Sequence, residues 1–120
     1  MPLNNQNQSA PPWISPTLLN NWANVSGFAS CQFRKFNNVV EIKGLIQAAT
    51  GTMVTSGSIA FNLPAGYRPL ETRNFAQFTN IQGTFVMGVL RVSPNGDCRL
   101  FFPAGTLSFI ATEVVYIAEQ

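Results

Sequence analysis

Residues 85–102 read FVMGVLRV, then SPNG, then DCRLFF. The first run, Phe85–Val92, is apolar and largely β-branched, which suits a pleated surface. Ser93-Pro94-Asn95-Gly96 is a strong turn signal, and Asp97–Phe102 returns as a second run. Two strand-favouring runs joined by four turn residues read as a β-hairpin.

The same grammar extends outward. GSIAFNL (Gly57–Leu63) stacks Ile59, Phe61 and Leu63 on one face and stops at Pro64-Ala65-Gly66. VVEIKGLI (Val39–Ile46) puts Val40, Ile42, Gly44 and Ile46 on one face and Glu41 and Lys43 on the other, the pattern of a half-buried strand. CQFRKF (Cys31–Phe36) turns Phe33 one way and closes on Asn37-Asn38, a pair suited to positive φ. TLSFIATEVVYIA (Thr106–Ala118) is apolar on both faces, with Phe109, Ala111, Val115 and Ile117 on one and Ile110, Val114 and Tyr116 on the other. The outer face of a lone sandwich should be polar, so the second face meets another subunit, or is covered by a loop or the N-terminal arm. Nine Gly and eight Pro leave few helix-length stretches, and only Thr17–Ala23 suits a short helical turn. The expectation is an antiparallel, jelly-roll-like β-sandwich of about seven to eight short strands over residues 17–120.

Ahead of it, residues 1–16 begin MPLNNQNQSAPP, too polar to fold alone, and read as an extended anchoring arm held by a neighbouring chain. Residues 1–12 have neither a basic start nor an apolar segment, so no export signal is expected, and no run approaches a membrane span of about 20 apolar residues.

Hydrophobic residues make up 46% of the chain and charged ones only 10%. Domains ordinarily carry about 25% charged residues, so much of this surface is expected to be covered by other protein. The seven basic residues are scattered, with only Arg34 and Lys35 adjacent, which argues against a nucleic-acid footprint. Cys31 and Cys98 read as small buried hydrophobes, although a disulfide stays geometrically open.

Without histidine, Ser-His-Asp and Cys-His catalysis are impossible. Glu41 and Glu113 could approach on neighbouring strands as a glycosidase pair, but nothing local marks them, and surface polarity explains them better. No CxxC, P-loop or GxGxxG is present. No enzyme activity, metal or cofactor is expected. Sugar contact is a separate question, because rings stack on sugar faces. Trp13, Trp22, Tyr67 and Tyr116, with Arg68 and Arg73 as hydrogen bonders, are the candidate glycan or interface contacts. Packing inside the sandwich competes for each ring. Ile110, Val114 and Tyr116 are the candidate subunit interface. Asn24-Val25-Ser26 matches a glycosylation sequon, a three-residue pattern that also arises by chance.

One string goes beyond periodicity. GSIAFNLPAGYRP (Gly57–Pro69) resembles the G-x-I-x-x-LP-x-GYRP stretch of small C-terminal β domains in tailed-phage tail-fibre, baseplate and minor structural proteins. Leu18–Trp22 resembles their L-N-G-W opening, with Asn21 where Gly is usual. Val39–Ile46 resembles their V-x-L-x-G-x-I strand, and Ser93–Gly96 their hairpin turn. Together these elements span Leu18 to Ile117. Physically, the string is a corner: Pro64 stops the ladder, Gly66 permits a reversal, and Tyr67 can cover it.

The resemblance implies a homotrimeric β-sandwich of the virion, attached to other virion proteins through residues 1–16 and contacting host surface glycan. Those domains commonly end longer fibres, whereas this sequence starts at Met1 with a short arm. A capsid decoration protein tethered by that arm, and a carbohydrate-binding module, are the alternatives.

Overall fold

The computed structural model describes residues 10–118, which contain ten strands and no helix. They are β1 (Trp22–Asn24), β2 (Gln32–Phe36), β3 (Val39–Lys43), β4 (Leu45–Ala48), β5 (Ile59–Asn62), β6 (Arg73–Ile81), β7 (Thr84–Val92), β8 (Asp97–Phe101), β9 (Leu107–Ala111) and β10 (Val114–Ile117). A seven-stranded sheet runs β1-β4-β9-β6-β7-β8-β5, and a three-stranded sheet runs β10-β3-β2, every pair antiparallel. The expected all-β, sandwich-like architecture is present. The expected seven to eight strands become ten: two stretches read as single strands each break and change sheet, and β1 and β6 lie outside the six runs read as strands.

Both breaks occur at one junction. Val39–Ile46 divides at Gly44, whose φ is +129° and whose added Cβ would lie 2.5 Å from the Cys31 Cα. Only glycine fits so close to another backbone. Thr106–Ala118 divides at Thr112-Glu113, so the apparent long final strand is β9 in one sheet and β10 in the other. A chain leaving a ladder strands its polar groups, and here they bond to one another. The Thr112 N–H donates to the Gly44 carbonyl at 2.9 Å and its hydroxyl to the Lys43 carbonyl at 3.0 Å. The Gly44 N–H donates to the Glu113 carboxylate at 2.7 Å. Gln77, buried, accepts the Glu113 N–H at 2.8 Å and donates to its carbonyl at 3.2 Å.

Between the sheets lie Phe33, Val40, Ile46, Phe61, Leu90 and Ile110, all essentially without solvent contact. Cys31 and Cys98 are separate buried thiols within this core. Burial pushes the Cys31 thiol up to about 12 and raises that of Cys98 well above its usual range.

The turns use asparagine where the backbone must go left-handed. Asn37 and Asn38 have φ of 49° and 66°, as their pairing suggested. Leu19–Trp22 is a tight reversal and not the helical turn expected there: the Trp22 N–H donates to the Leu19 carbonyl at 3.1 Å, Asn20 and Asn21 have φ of 54° and 72°, and β1 begins at Trp22. Asn and Gly tolerate this region best, which explains how Asn21 stands where a glycine is usual in the resembling domains.

Of the proposed arm, residues 1–9 lie outside the described residues. Its last part folds back on its own chain. Ile14 exchanges two backbone hydrogen bonds with Phe33, at 2.8 and 2.9 Å, and the Ser15 hydroxyl accepts from Gln32 at 3.0 Å.

Candidate functional site

The β6–β7 hairpin is the longest pairing in the molecule, running from Arg73↔Val92 to Ile81↔Thr84. Strand alternation sends Gln77, Thr79, Gly88 and Leu90 inward, all buried. Gly88 is required there, since a Cβ would meet the Thr79 hydroxyl and come within 2.7 Å of the Ile110 Cδ1. The alternate set faces out. Phe78, Phe85 and Met87 are 56%, 62% and 66% exposed. The rings of Phe78 and Phe85 stack at 4.8 Å, and Phe109 from β9 joins at 6.0 and 6.5 Å. Residues 74–90 contain no Asp, Glu, Lys or Arg. Monomers seldom display so continuous an apolar surface without a partner for it.

A second feature lies on the three-stranded sheet. Trp13, Glu41, Lys43, Glu113 and Val115 line a depression of about 370 Å³. The half-buried Trp13 ring carries the Arg34 guanidinium at 4.1 Å and the Lys43 Nζ at 4.5 Å from its centroid. Such contacts hold the ring on the sheet by roughly 0.5–1 kcal/mol each. Glu41 accepts the Arg34 Nε at 2.9 Å, and Glu113 already accepts from Gly44. Glu41 and Glu113 therefore do share one concavity, each committed to a structural hydrogen bond. Among the described residues no three of Cys, Asp and Glu gather as a metal-binding group.

The residues singled out from sequence fall elsewhere in the molecule. Trp22 is buried, donates to the Ser58 hydroxyl at 3.2 Å and meets the Phe102 ring edge-on. Tyr67 packs edge-on against Phe33 at 5.1 Å. Arg68 donates Nε–H to the Leu63 carbonyl at 2.8 Å. Tyr116 is buried, with its hydroxyl donating to the Tyr67 carbonyl at 2.6 Å, and burial raises its phenol. These four brace the LPAGYRP corner or the core. Arg73 is exposed, with its guanidinium 5.6 Å from the Phe75 ring centroid. Of the six candidates Trp22 and Tyr116 are buried, Trp13, Tyr67 and Arg68 are half-buried, and Arg73 is exposed.

Ile110, Val114 and Tyr116, chosen as the subunit-facing set, all point into the core of this chain. The two-sided character of that stretch is real, but its outward members are the alternate ones: Val115 is 59% and Ile117 49% exposed. Sequence reading missed Phe78, Phe85 and Met87. For Phe85 and Met87 the signal was available, because Phe85–Val92 is apolar at both odd and even positions, as Thr106–Ala118 is; Phe78 lies in β6, which was not read as a strand.

No family model matches this sequence, and no curated protein matches it. Solved structures do. The receptor binding protein gp15 of Listeria phage PSA superposes with a TM-score of 0.70 at 13% identity, over 93% of this chain and 68% of that one. The head domain of lactococcal phage bIL170, described among receptor binding domains, superposes with a TM-score of 0.63 at 18% identity, over 89% of this chain and 97% of that one. The resemblance in the Leu18–Ile117 motifs and the likeness of backbone agree: this chain has the fold of phage receptor-binding head domains.

Proposed function

We propose that the chain is a non-enzymatic virion structural protein of a tailed bacteriophage, a tail-fibre or baseplate attachment module that works as a homotrimer and contacts host surface glycan. The observation that carries this reading is the uncharged aromatic face of the β6–β7 hairpin, in a fold shared with receptor-binding heads. The part of that face built by residues 74–90 has no ionised side chain and can meet its own copy without like charges at its centre, and stacked rings supply the apolar area an interface core needs. Val115 and Ile117 offer a second, smaller apolar surface on the other sheet. The depression at Trp13, where a ring borders Glu41, Lys43 and Glu113, supports sugar contact, and it is also what a free carbohydrate-binding module would show. A decoration role would rest on the arm, most of which lies outside the described residues.

Sedimentation velocity on the full chain tests the assembly, with a trimer expected at micromolar protein. Adsorption of labelled chain to a panel of bacterial cells tests attachment. A persistent monomer that adsorbs to no strain, yet binds and stiffens empty capsids, would replace this reading with decoration.

A further inference from the structure

Two of the seven basic residues, scattered in sequence, meet in space. The β7–β8 register places Arg91 directly opposite Arg99, on the face away from the buried Leu90↔Leu100 pair. Like charges facing each other across an antiparallel pair are destabilising. In a chain with so few charges, their juxtaposition needs an explanation.

No carboxylate among the described residues relieves it. The one ion pair there is Arg34–Glu41. Asp97 lies on the same strand as Arg99, two residues before it, and its carboxylate oxygens accept from Asn62 at 2.8 Å and Asn95 at 3.1 Å. Both guanidinium groups are instead held in place by neutral partners. Arg91 donates Nε–H to the Asn74 side-chain carbonyl at 2.8 Å and lies 4.6 Å over the Phe101 ring. Arg99 donates from Nη1 to the Gly57 carbonyl at 2.9 Å. The Phe101 ring lies beside Gly57, where an added Cβ would stand 3.2 Å from it. A guanidinium has five N–H donors, so each arginine is oriented by one hydrogen bond and keeps others for a ligand.

We infer that Arg91 and Arg99, oriented by Asn74, Gly57 and Phe101, form a site for an anionic group of a surface glycan, a uronate carboxylate or a phosphodiester. The two arginines are register partners on neighbouring strands, and each keeps N–H donors of the kind that bind planar or tetrahedral oxyanions. The site sits on the same outer face as the Phe78–Phe85 stack, four residues farther along β6, or roughly 13 Å at strand rise. This deepens the attachment reading by naming the ligand's chemistry, and it rests on that reading.

The test uses the ¹⁵N-labelled full chain, titrated at constant ionic strength with sodium glucuronate, inorganic phosphate and methyl glucoside. Saturable shifts are expected at the Arg91 and Arg99 Nε–Hε signals and the Phe101 amide with the anions, and none with the neutral sugar. R91Q and R99Q should each weaken binding about tenfold, a loss typical of one charge-assisted contact, while K35Q, at a lysine that donates to the Gly66 carbonyl, leaves it unchanged. Shifts spread evenly over Arg34, Lys43 and Arg73, or no saturation, would overturn the site. The second arm is adsorption to the bacterial panel. If wild type adsorbs and folded R91Q/R99Q double variant adsorbs equally, the inference fails and attachment stands. If the double variant loses adsorption, and glucuronate or phosphate competes for wild type, the site is supported, and the better competitor names the acid. If no strain is bound, the attachment reading itself fails.

Discussion

The LPAGYRP corner and the outer face of the β6–β7 hairpin are built from similar aromatic, apolar and arginine residues, and they behave oppositely. At the corner nearly every polar group is spoken for within the chain. The Leu63 N–H donates to the Gly96 carbonyl, Arg68 to the Leu63 carbonyl, Lys35 to the Gly66 carbonyl and Tyr116 to the Tyr67 carbonyl. On the hairpin the rings of Phe78 and Phe85 touch chiefly each other and Phe109, and stay more than half exposed. A conspicuous sequence motif reports where the backbone is most constrained. A binding surface reports where the fold leaves area uncovered, and that need not be conspicuous at all.

The largest effects should come from the corner. At Gly96, φ is +91°, and a Cβ would meet the Leu63 carbonyl and lie 2.6 Å from the Arg68 Nε. Gly96→Ala should therefore cost about 3 kcal/mol or more, from strain and overpacking together, read as a fall in the denaturant midpoint. A cost below that of a surface substitution would mean the corner is not braced as described. Tyr116→Phe deletes the hydroxyl that satisfies the half-buried Tyr67 carbonyl and should cost about 1–3 kcal/mol in the same assay.

Alkali probes the buried side of the corner, where the Cys98 Sγ lies 3.6 Å from the Gly96 carbonyl. Burial raises the folded thiols of Cys98 and Cys31, the latter to about 12, while unfolded thiols ionise near 9. Above pH 9 the unfolded chain therefore binds fewer protons than the native one. Stability from these groups is complete below that pH and declines as pH rises toward 12, by up to about 1.4 kcal/mol per pH unit for each thiol. Urea midpoints measured from pH 8 to 11 should fall, and Cys98→Ala should flatten the decline. An unchanged slope in that variant would deny Cys98 its part in it.

The hairpin face should respond the other way round. Phe78→Ser with Phe85→Ser removes exposed area, so monomer stability should shift by no more than about 1 kcal/mol. Sedimentation should nonetheless move from trimer to monomer. A large loss of stability with assembly intact would make the rings structural and erase the contrast with the corner. The smallest effect belongs to Asn21→Gly, expected within about 0.5 kcal/mol because φ of 72° already suits both residues. A substantially larger change would show that the Asn21 side-chain bond to the Met53 carbonyl matters more than the backbone.

The Ser93–Gly96 turn and the Asn37-Asn38 pair were enough to specify antiparallel β-structure, because turn chemistry is a local property; the expected stacking of Ile59 with Phe61 and Leu63 fails, because a bulge sets Ile59 opposite outward Arg99 and Phe61 opposite buried Cys98. The absence of histidine likewise excluded histidine-dependent catalysis from composition alone. What only the folded chain decided is which side of each strand is inside. Gly44 and Thr112-Glu113 look like ordinary strand positions in sequence, yet there the chain passes between sheets. That crossing turns Ile110, Val114 and Tyr116 inward and leaves Val115 and Ile117 outside. The meeting of Arg91 with Arg99 is of the same kind. Register between strands depends on the whole sheet, and exposure on everything packed above it, so neither can be read from a segment taken by itself.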